Sequence, residues 1–191
     1  LVALQAGKAD VLISRTGSEL LNPRVFDPAE VQARVAANPH LRGLAPRFFG
    51  VVQVSGRGAE HYAIMIGLDP KRERELDISG LTPEPALREK TCAVSGALAE
   101  KLKAKAGASL EVHAVNAGAG LNLKVETLLK RQLVLPQQIR DYIVVNEGVA
   151  RALLDEPERV HVLAGAFREP RAYYDARDLH ASVQRLKGAG A

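Results

Sequence analysis

The sequence predicts a mixed α+β fold in which one α+β unit is interrupted by an inserted second one. Two stretches alternate apolar and polar residues on both sides of a short turn, which is typical of β-hairpins. Several short apolar-striped segments begin with a capping residue and end at proline or glycine, as helices do. The elements before the insertion are too few to close a core, so the last strand and helix of the chain are expected to complete it.

Length and composition agree with an ordinary globular protein. The chain has 191 residues, of which 47% are hydrophobic and 25% charged. The net charge of +4 favours anionic neighbours only weakly. The single cysteine, Cys92, excludes an internal disulfide and a cysteine-based zinc site. No apolar run reaches the roughly 18 residues of a membrane span. The first residue is not Met, so the chain is expected to be a piece of a longer protein.

The first unit is predicted as a strand, a helix and a hairpin. Residues 10–14 indicate a strand. Asp27 and Pro28 predict a helix start, and Val31 and Val35 its buried face. The hairpin strands, residues 48–55 and 60–68, have one apolar face made by Tyr62, Ile64, Ile66 and Leu68.

The insertion is expected to begin after a run of charges. Residues 71–75 carry charges of alternating sign between proline-bearing stretches, which predicts a domain boundary. Beyond it come a strand at residues 91–94, a helix capped by Ser95 and ended by Gly107, and a second hairpin. In that hairpin the facing apolar residues are Leu110, Val112 and Ala114 on one strand and Leu121, Leu123 and Val125 on the other.

The rest of the insertion and the end of the first unit follow. An irregular stretch at residues 128–139 precedes a strand at residues 142–145 and a helix that begins at Asn146. A strand at residues 160–163 and a final helix capped by Asp175 are expected to return to the first unit, and the apolar stripe of that helix is Leu179, Val183 and Leu186.

No group of residues predicts catalysis, a cofactor or a metal. Cys92 reads as a core residue and Ser95 as a helix cap, and residues 118–120 read as a hairpin turn because no helix follows them. The lysines after residue 100 lack interleaved aromatic residues, so nucleic-acid binding is not predicted. The histidines are too scattered for a metal site: His40, His61, His113, His161 and His180.

Several phrases resemble the periplasmic core domain of the MacB and LolC/LolE class of ABC transporter permeases, also called the FtsX-like class. They are KADVLIS at residues 8–14, LRGLAPR at 41–47, IGLDP at 66–70, and CAVS at 92–95, and residues 142–154 resemble a closing strand and helix. The order of these phrases carries the resemblance. Ala108, where an acidic residue is common, and residues 128–139 depart from the family's pattern.

The resemblance implies a split architecture. A discontinuous porter-like α+β subdomain would comprise residues 1–75 and 158–191, and an inserted sabre-like lobe would comprise residues 76–157. Both chain ends would then lie in the same subdomain, as two flanking transmembrane helices require.

The resemblance also implies a function without chemistry. The domain would lie on the periplasmic side of the bacterial inner membrane and would couple cytoplasmic ATP hydrolysis to lipoprotein release or substrate export. Its partners would be an ABC ATPase, a second permease copy or paralogue, and a lipoprotein carrier or periplasmic adaptor. The rival interpretation is a freestanding small-molecule-binding or hydrolytic α+β protein with its site between two lobes.

A partner contact is expected in the proline-bearing segment at residues 130–140. In the LolC-like branch a loop of this kind hooks the lipoprotein carrier, and the equivalent contacts here would be Arg131, Leu135, Pro136 and Gln137. The alternative is that the same segment forms a buried strand.

Overall fold

The computed structural model describes residues 9–18, 23–35, 38–115, 117–118, 120–130 and 139–168. The described part is of the predicted α+β class. Its helices are α1 (Pro28–Val35), α2 (Pro70–Leu76), α3 (Gly96–Leu102) and α4 (Glu147–Leu154). Its strands are β1 (Val11–Ser14), β2 (Leu41–Gly56), β3 (Ala59–Leu68), β4 (Thr91–Ser95), β5 (Ser109–Ala114), β6 (Gly120–Leu129), β7 (Tyr142–Asn146) and β8 (Val162–Phe167).

The strands form one sheet that closes on itself. Their order is β1-β8-β2-β3-β7-β4-β6-β5, and β5 pairs back with β2, so six strands make a closed ring. Strands β8 and β1 extend the sheet outside the ring. Only β3 with β7 and β4 with β6 pair in parallel. Closure gives the ring strands partners on both sides, which protects the backbone groups of their edges.

Strand β2 belongs both to the ring and to the extension. On one edge it pairs with β3 from Arg47 to Gly56. On its other edge, residues 41–47 pair with β8 and residues 52–55 pair with β5. Arg47 faces Leu68 of β3 on one side and Val162 of β8 on the other, so it marks the point where β2 changes neighbours.

Alternation along the strands separates two apolar cores. The main core includes Val52, Val54 and Met65 with the inward faces of α3 and α4. The opposite face of the sheet carries a second core, in which Phe49, Ile66 and Val144 pack beneath the loop that follows α2. That loop contributes two leucines, Leu81 and Leu87.

The predicted helix caps are confirmed. The Asp27 carboxylate accepts a hydrogen bond from Ala29 N at 2.8 Å, Ser95 Oγ accepts one from Leu98 N at 3.3 Å, and Asn146 Oδ1 accepts one from Val149 N at 2.8 Å. The predicted end of α3 is wrong. The helix ends at Lys103, which has a left-handed backbone (φ 50°), four residues before Gly107.

Three other boundaries differ from the predicted ones. Strand β2 begins earlier than predicted, at Leu41. Pro46, which hides the strand pattern in the sequence, lies opposite Leu163 of β8 and does not interrupt the strand. The irregular stretch expected from residue 128 begins later, because β6 runs to Leu129. The last described strand spans Val162–Phe167, and Val160 makes an isolated bridge to Phe26 before it.

The charged run at residues 71–75 forms most of helix α2, and its central Glu73 is fully buried. Strands from residues 1–75, 76–157 and 158–191 all join the same sheet. The division into porter-like and sabre-like subdomains stays a prediction, and the predicted helix after Asp175 lies outside the described residues.

Gly67 allows close packing of α4 on β3, and this contact is testable. A Cβ on Gly67 would lie 2.2 Å from Ala150 Cβ and 3.0 Å from Phe48 Cβ. We expect Gly67→Ala to lower the free energy of unfolding by about 1–3 kcal/mol, because the helix must move off the sheet. Urea denaturation measures the change.

Gly96→Ala is the matched control for this substitution. The nearest atom to a Cβ there is Leu129 O at 3.7 Å, an ordinary contact, so we expect a change within about 0.5 kcal/mol. Equal urea midpoints for Gly67→Ala and the unsubstituted protein would contradict the packing argument.

Candidate functional site: the ion-paired corner beneath helix α2

Helix α2 forms because its start and end are both specified locally. Asp69 accepts hydrogen bonds from Lys71 N at 2.9 Å and Arg72 N at 3.1 Å, and Pro70 takes the first helical position. Asp77 ends the helix in a left-handed conformation (φ 53°). One face of this short helix therefore lies against β2.

A buried ion pair joins α2 to the point where β2 changes neighbours. Arg47 Nε lies 2.7 Å from Glu73 Oε1, and Arg47 Nη2 lies 2.8 Å from Glu73 Oε2. Arg47 Nη2 also donates to Ile78 O at 2.9 Å. The two residues are 1% and 0% exposed. Because both carboxylate oxygens receive the guanidinium fork, this arrangement serves to hold elements together and leaves Glu73 no free oxygen for proton transfer.

Further bonds hold α2 against the first half of β2. Arg72 Nε donates to Leu44 O at 3.1 Å, and Arg42 donates to Glu75 O. Behind these bonds a small apolar cluster of Leu76 and Ile78 packs on alanines of β2 and β8. Helix α2 therefore connects the ring to the β1–β8 extension.

A notch beside α2 is a poor ligand site. It encloses about 190 Å³ and is lined by Glu73, Arg74, Asp77, Glu84 and the loop from Ser79 to Thr82. Sites for drug-sized ligands usually have about 300–1,000 Å³ and are mostly apolar. Arg74 Nε lies 3.9 Å from Glu84 Oε1 across the notch, so charges of opposite sign already face each other there.

The buried His161 is a structural residue. Its Nδ1 accepts a hydrogen bond from Phe49 N at 3.3 Å, and its ring meets the edge of Phe48 with centroids 6.2 Å apart. Burial lowers the pKa of His161 from 6.5 to about 4. The Arg151 guanidinium lies 4.6 Å from the centroid of the same Phe48 ring. His161 is therefore neutral at ordinary pH.

Cys92 is the core residue that its sequence context predicts. It is fully buried in β4, and burial, together with the nearby Glu126 carboxylate, raises its pKa to about 12. The thiol is therefore protonated and unreactive. Among the described residues, no group of three or more His, Cys, Asp and Glu side chains could hold a metal ion.

The partner contacts predicted from the sequence, Arg131, Leu135, Pro136 and Gln137, lie outside the described residues. The segment leaves β6 beside the loop that follows α2, because Lys130 N donates to Thr82 O at 2.9 Å. Whether it is a partner loop or a buried strand stays a prediction.

The Arg47–Glu73 pair is a feature that the sequence interpretation missed. Its only local signal was the capping dipeptide Asp69-Pro70, which starts a helix that turns Glu73 and Leu76, three residues apart, towards β2. The partner Arg47 lies 26 residues away, so no local pattern connects the two.

Comparison with solved structures supports the predicted mixed α+β fold class. The extracellular domain of the noncanonical ABC-type transporter YknZ from Gram-positive bacteria has a TM-score of 0.61 and 13% identity, over 92% of this chain and 90% of that one. The periplasmic region of MacB from Actinobacillus actinomycetemcomitans has a TM-score of 0.58 and 10% identity, over 86% and 74% of the two chains.

A third similar structure is a domain of a putative permease protein from Porphyromonas gingivalis, with a TM-score of 0.50 and 14% identity over 81% and 68% of the two chains. No protein-family model matches this sequence, and no curated protein sequence matches it significantly. The likeness is therefore one of fold, and the fold is that of extracellular and periplasmic domains of ABC transporter permeases. In the described part of the chain no helix is long and apolar enough to cross a membrane.

Removing one member of the Arg47–Glu73 pair should be strongly destabilising. We expect Glu73→Ala to lower the free energy of unfolding by about 3–5 kcal/mol, because it leaves the Arg47 charge buried and unpaired. The double substitution Arg47→Met/Glu73→Leu should recover most of that loss, since it removes both charges. Urea denaturation of Arg47→Met, Glu73→Leu and the double variant gives the coupling energy.

The exposed pair Arg34–Glu30 on α1 is the matched control, with an Nη2 to Oε1 distance of 3.1 Å and half-exposed side chains. Glu30→Ala should cost less than about 1 kcal/mol. Additive effects of Arg47→Met and Glu73→Leu would show that the buried pair is not the link described above.

Burial of neutral His161 should make stability fall in acid. Above pH 6.5 the ring is neutral in the folded and unfolded states, so its contribution is fully present. As the pH falls from 6.5 towards 4, the unfolded chain binds the proton first and stability is lost. The lowered pKa corresponds to a loss of about 3 kcal/mol at pH 4.

The measurement is urea denaturation at intervals between pH 8 and 4, with His161→Gln for comparison. Glutamine can still accept the hydrogen bond from Phe49 N but does not titrate. The variant should lack this part of the pH dependence. An unchanged slope in the variant would assign the acid sensitivity to other groups.

Proposed function

We propose that this chain is a non-catalytic extracytoplasmic domain of an ABC transporter permease. The likeness to the YknZ extracellular domain carries the proposal, because it extends over nine tenths of both chains. The comparison structures are extracellular or periplasmic regions of their own proteins, which supports the same location for this one. Its ATP would be hydrolysed by a separate ATPase in the cytoplasm.

The pairing of β1 with β8 supports a membrane tether at both ends. Val11 lies opposite Gly165, Asp10 N donates to Gly165 O at 2.9 Å, and Phe167 N donates to the Asp10 carboxylate at 2.8 Å. The first and the last described strands are therefore neighbours in the sheet. Two membrane segments attached there would emerge side by side.

The path of β2 supports a mechanical role. The strand runs without interruption from its pairing with β8 into the closed ring, and the buried Arg47–Glu73 pair fastens α2 across the change of neighbours. Movement of the flanking segments would therefore displace the ring as one piece. In the proposed role this displacement drives release of a lipoprotein or export of a substrate, with a second permease copy or paralogue alongside.

The proposed contacts with a carrier or adaptor are Arg131, Leu135, Pro136 and Gln137. Lys130, which precedes them in the chain, lies beside the loop after α2, because Lys130 N donates to Thr82 O. The alternative of a small-molecule site between two lobes has less support, because the notch beside α2 is too small and too charged for most such ligands.

The test begins with the coding sequence on either side of residues 1 and 191. We expect apolar spans of about 20 residues on both sides. In proteoliposomes that contain the full-length permease and its ATPase, replacing this domain by a linker should abolish transport while the ATPase still hydrolyses ATP. A start codon and a stop codon at the two ends would overturn the proposal.

A further inference from the structure

Strand β2 has an interruption in the pairing of one edge. This edge pairs with β8 up to Arg47 and with β5 from Val52 onwards. Among the described strands, none pairs with this edge at residues 48–51, here called the gap. Backbone groups along such an edge must find partners elsewhere. The gap is therefore the place where the ring and the β1–β8 extension are least firmly joined by strand pairing.

Two residues next to the strands bond the backbone at the gap. His161 N donates to Arg47 O at 3.3 Å, and His161 Nδ1 accepts a hydrogen bond from Phe49 N at 3.3 Å. At the far end of the gap, Val115 N donates to Val51 O at 3.1 Å. The His161 ring therefore extends the pairing of β8 into the gap, with a side-chain nitrogen in place of a backbone carbonyl.

Arg151 on α4 holds the segment that leads to His161. Its Nη1 lies 3.1 Å from Glu156 O, 2.7 Å from Pro157 O and 3.2 Å from Arg159 O. One guanidinium nitrogen thus gathers three carbonyl oxygens of the connection between α4 and β8. These bonds fix the path of that connection.

The same guanidinium also contacts β2 inside the gap. Its carbon atom lies 4.6 Å from the centroid of the Phe48 ring, which is a cation–π contact. The other neighbour of that ring is the His161 ring, which meets it edge-on at 84°. Glu147, one turn earlier on α4, accepts a hydrogen bond from Arg151 Nε at 2.8 Å and orients the guanidinium. Arg151 therefore joins α4, the connection to β8 and β2.

We propose that Arg151 is a positioning residue that keeps the ring and the extension rigidly connected at the gap. It holds residues 156–161 where His161 bonds the edge of β2. Without it, water would compete for Phe49 N, and the extension would bend relative to the ring about residues 48–51. The Arg47–Glu73 pair fastens α2 beside the gap, so two separate contacts oppose this bending.

The use of this rigid connection rests on the proposed function. If membrane segments pull on β1 and β8, a rigid connection passes their displacement to the ring. A flexible connection would absorb the same displacement as bending of β2. Arg151 would then determine how much of the movement reaches the ring, although it lies far along the chain from either end.

The test measures distances between pairs of nitroxide labels by double electron–electron resonance. Labels at Ser14→Cys in β1 and Lys124→Cys in β6 report across the gap, and labels at Glu60→Cys and Lys124→Cys report within the ring. All three positions are exposed, whereas Cys92 is buried and unreactive. Arg151→Met should widen the distance distribution across the gap by at least about twofold and leave the distribution within the ring unchanged.

Amide hydrogen exchange gives a second readout of the same change. The Phe49 amide should exchange at least about tenfold faster in Arg151→Met, because its acceptor is no longer held in place. Amides of β4 and β7 report on unfolding of the ring and should accelerate much less. A general loss of stability would instead accelerate all of these amides alike.

Arg34→Met is the matched control, because it removes an i,i+4 pair with Glu30 that lies within one helix. It should leave both distance distributions unchanged. Arg151→Lys keeps the charge but loses the guanidinium plane, so it should widen the distribution across the gap less than Arg151→Met does. If Arg151→Met does not fold, Arg151→Lys is compared directly with the unsubstituted protein.

Three results would overturn the proposal. They are an unchanged distribution across the gap in the folded Arg151 variants, equal widening within the ring, and equal widening in Arg34→Met. None of these measurements involves a membrane or an ATPase. The proposed function is tested by the sequence beside residues 1 and 191, so it would stand or fall separately.

Discussion

The structure depends on how one strand is fixed at the residue where it changes neighbours. One edge of β2 pairs with β8 up to Arg47 and with β5 further along, and from Arg47 onwards the other edge pairs with β3. The Arg47 side chain turns towards α2 and meets Glu73 in a two-pronged ion pair with almost no exposure. The relative position of ring, α2 and extension is therefore set at a single buried contact.

A buried ion pair adds little net stability, but it defines geometry well. Desolvation of two charges offsets most of their attraction, so aliphatic side chains of similar volume could hold α2 equally well. Aliphatic side chains, however, would allow α2 to pack at several positions along β2, whereas a guanidinium fork matches a carboxylate in few orientations. The extra bond from Arg47 to Ile78 O fixes the exit of the helix as well. The proposed mechanical role would benefit from that definition.

Local features of this fold could be predicted from the sequence, and long-range ones could not. Asp27, Ser95 and Asn146 cap helices because the signal and its target lie within three residues. Ring closure requires pairings such as Ile64 with Tyr142, 78 residues apart, which no periodicity reveals. The burial of Glu73 could not be predicted for the same reason, since its partner Arg47 lies 26 residues away.

The weak sequence likeness to structures of the same fold follows from the composition of the core. The buried positions of the described chain are mostly Val, Leu, Ile and Ala, which replace one another at little cost when volume is conserved. Identity can therefore fall to 10–14% while the fold stays similar. Residues that distinguish one such domain from another must then lie where the fold does not constrain them. Among the described residues Tyr62 and Val115 are such positions, since each side chain is at least half exposed.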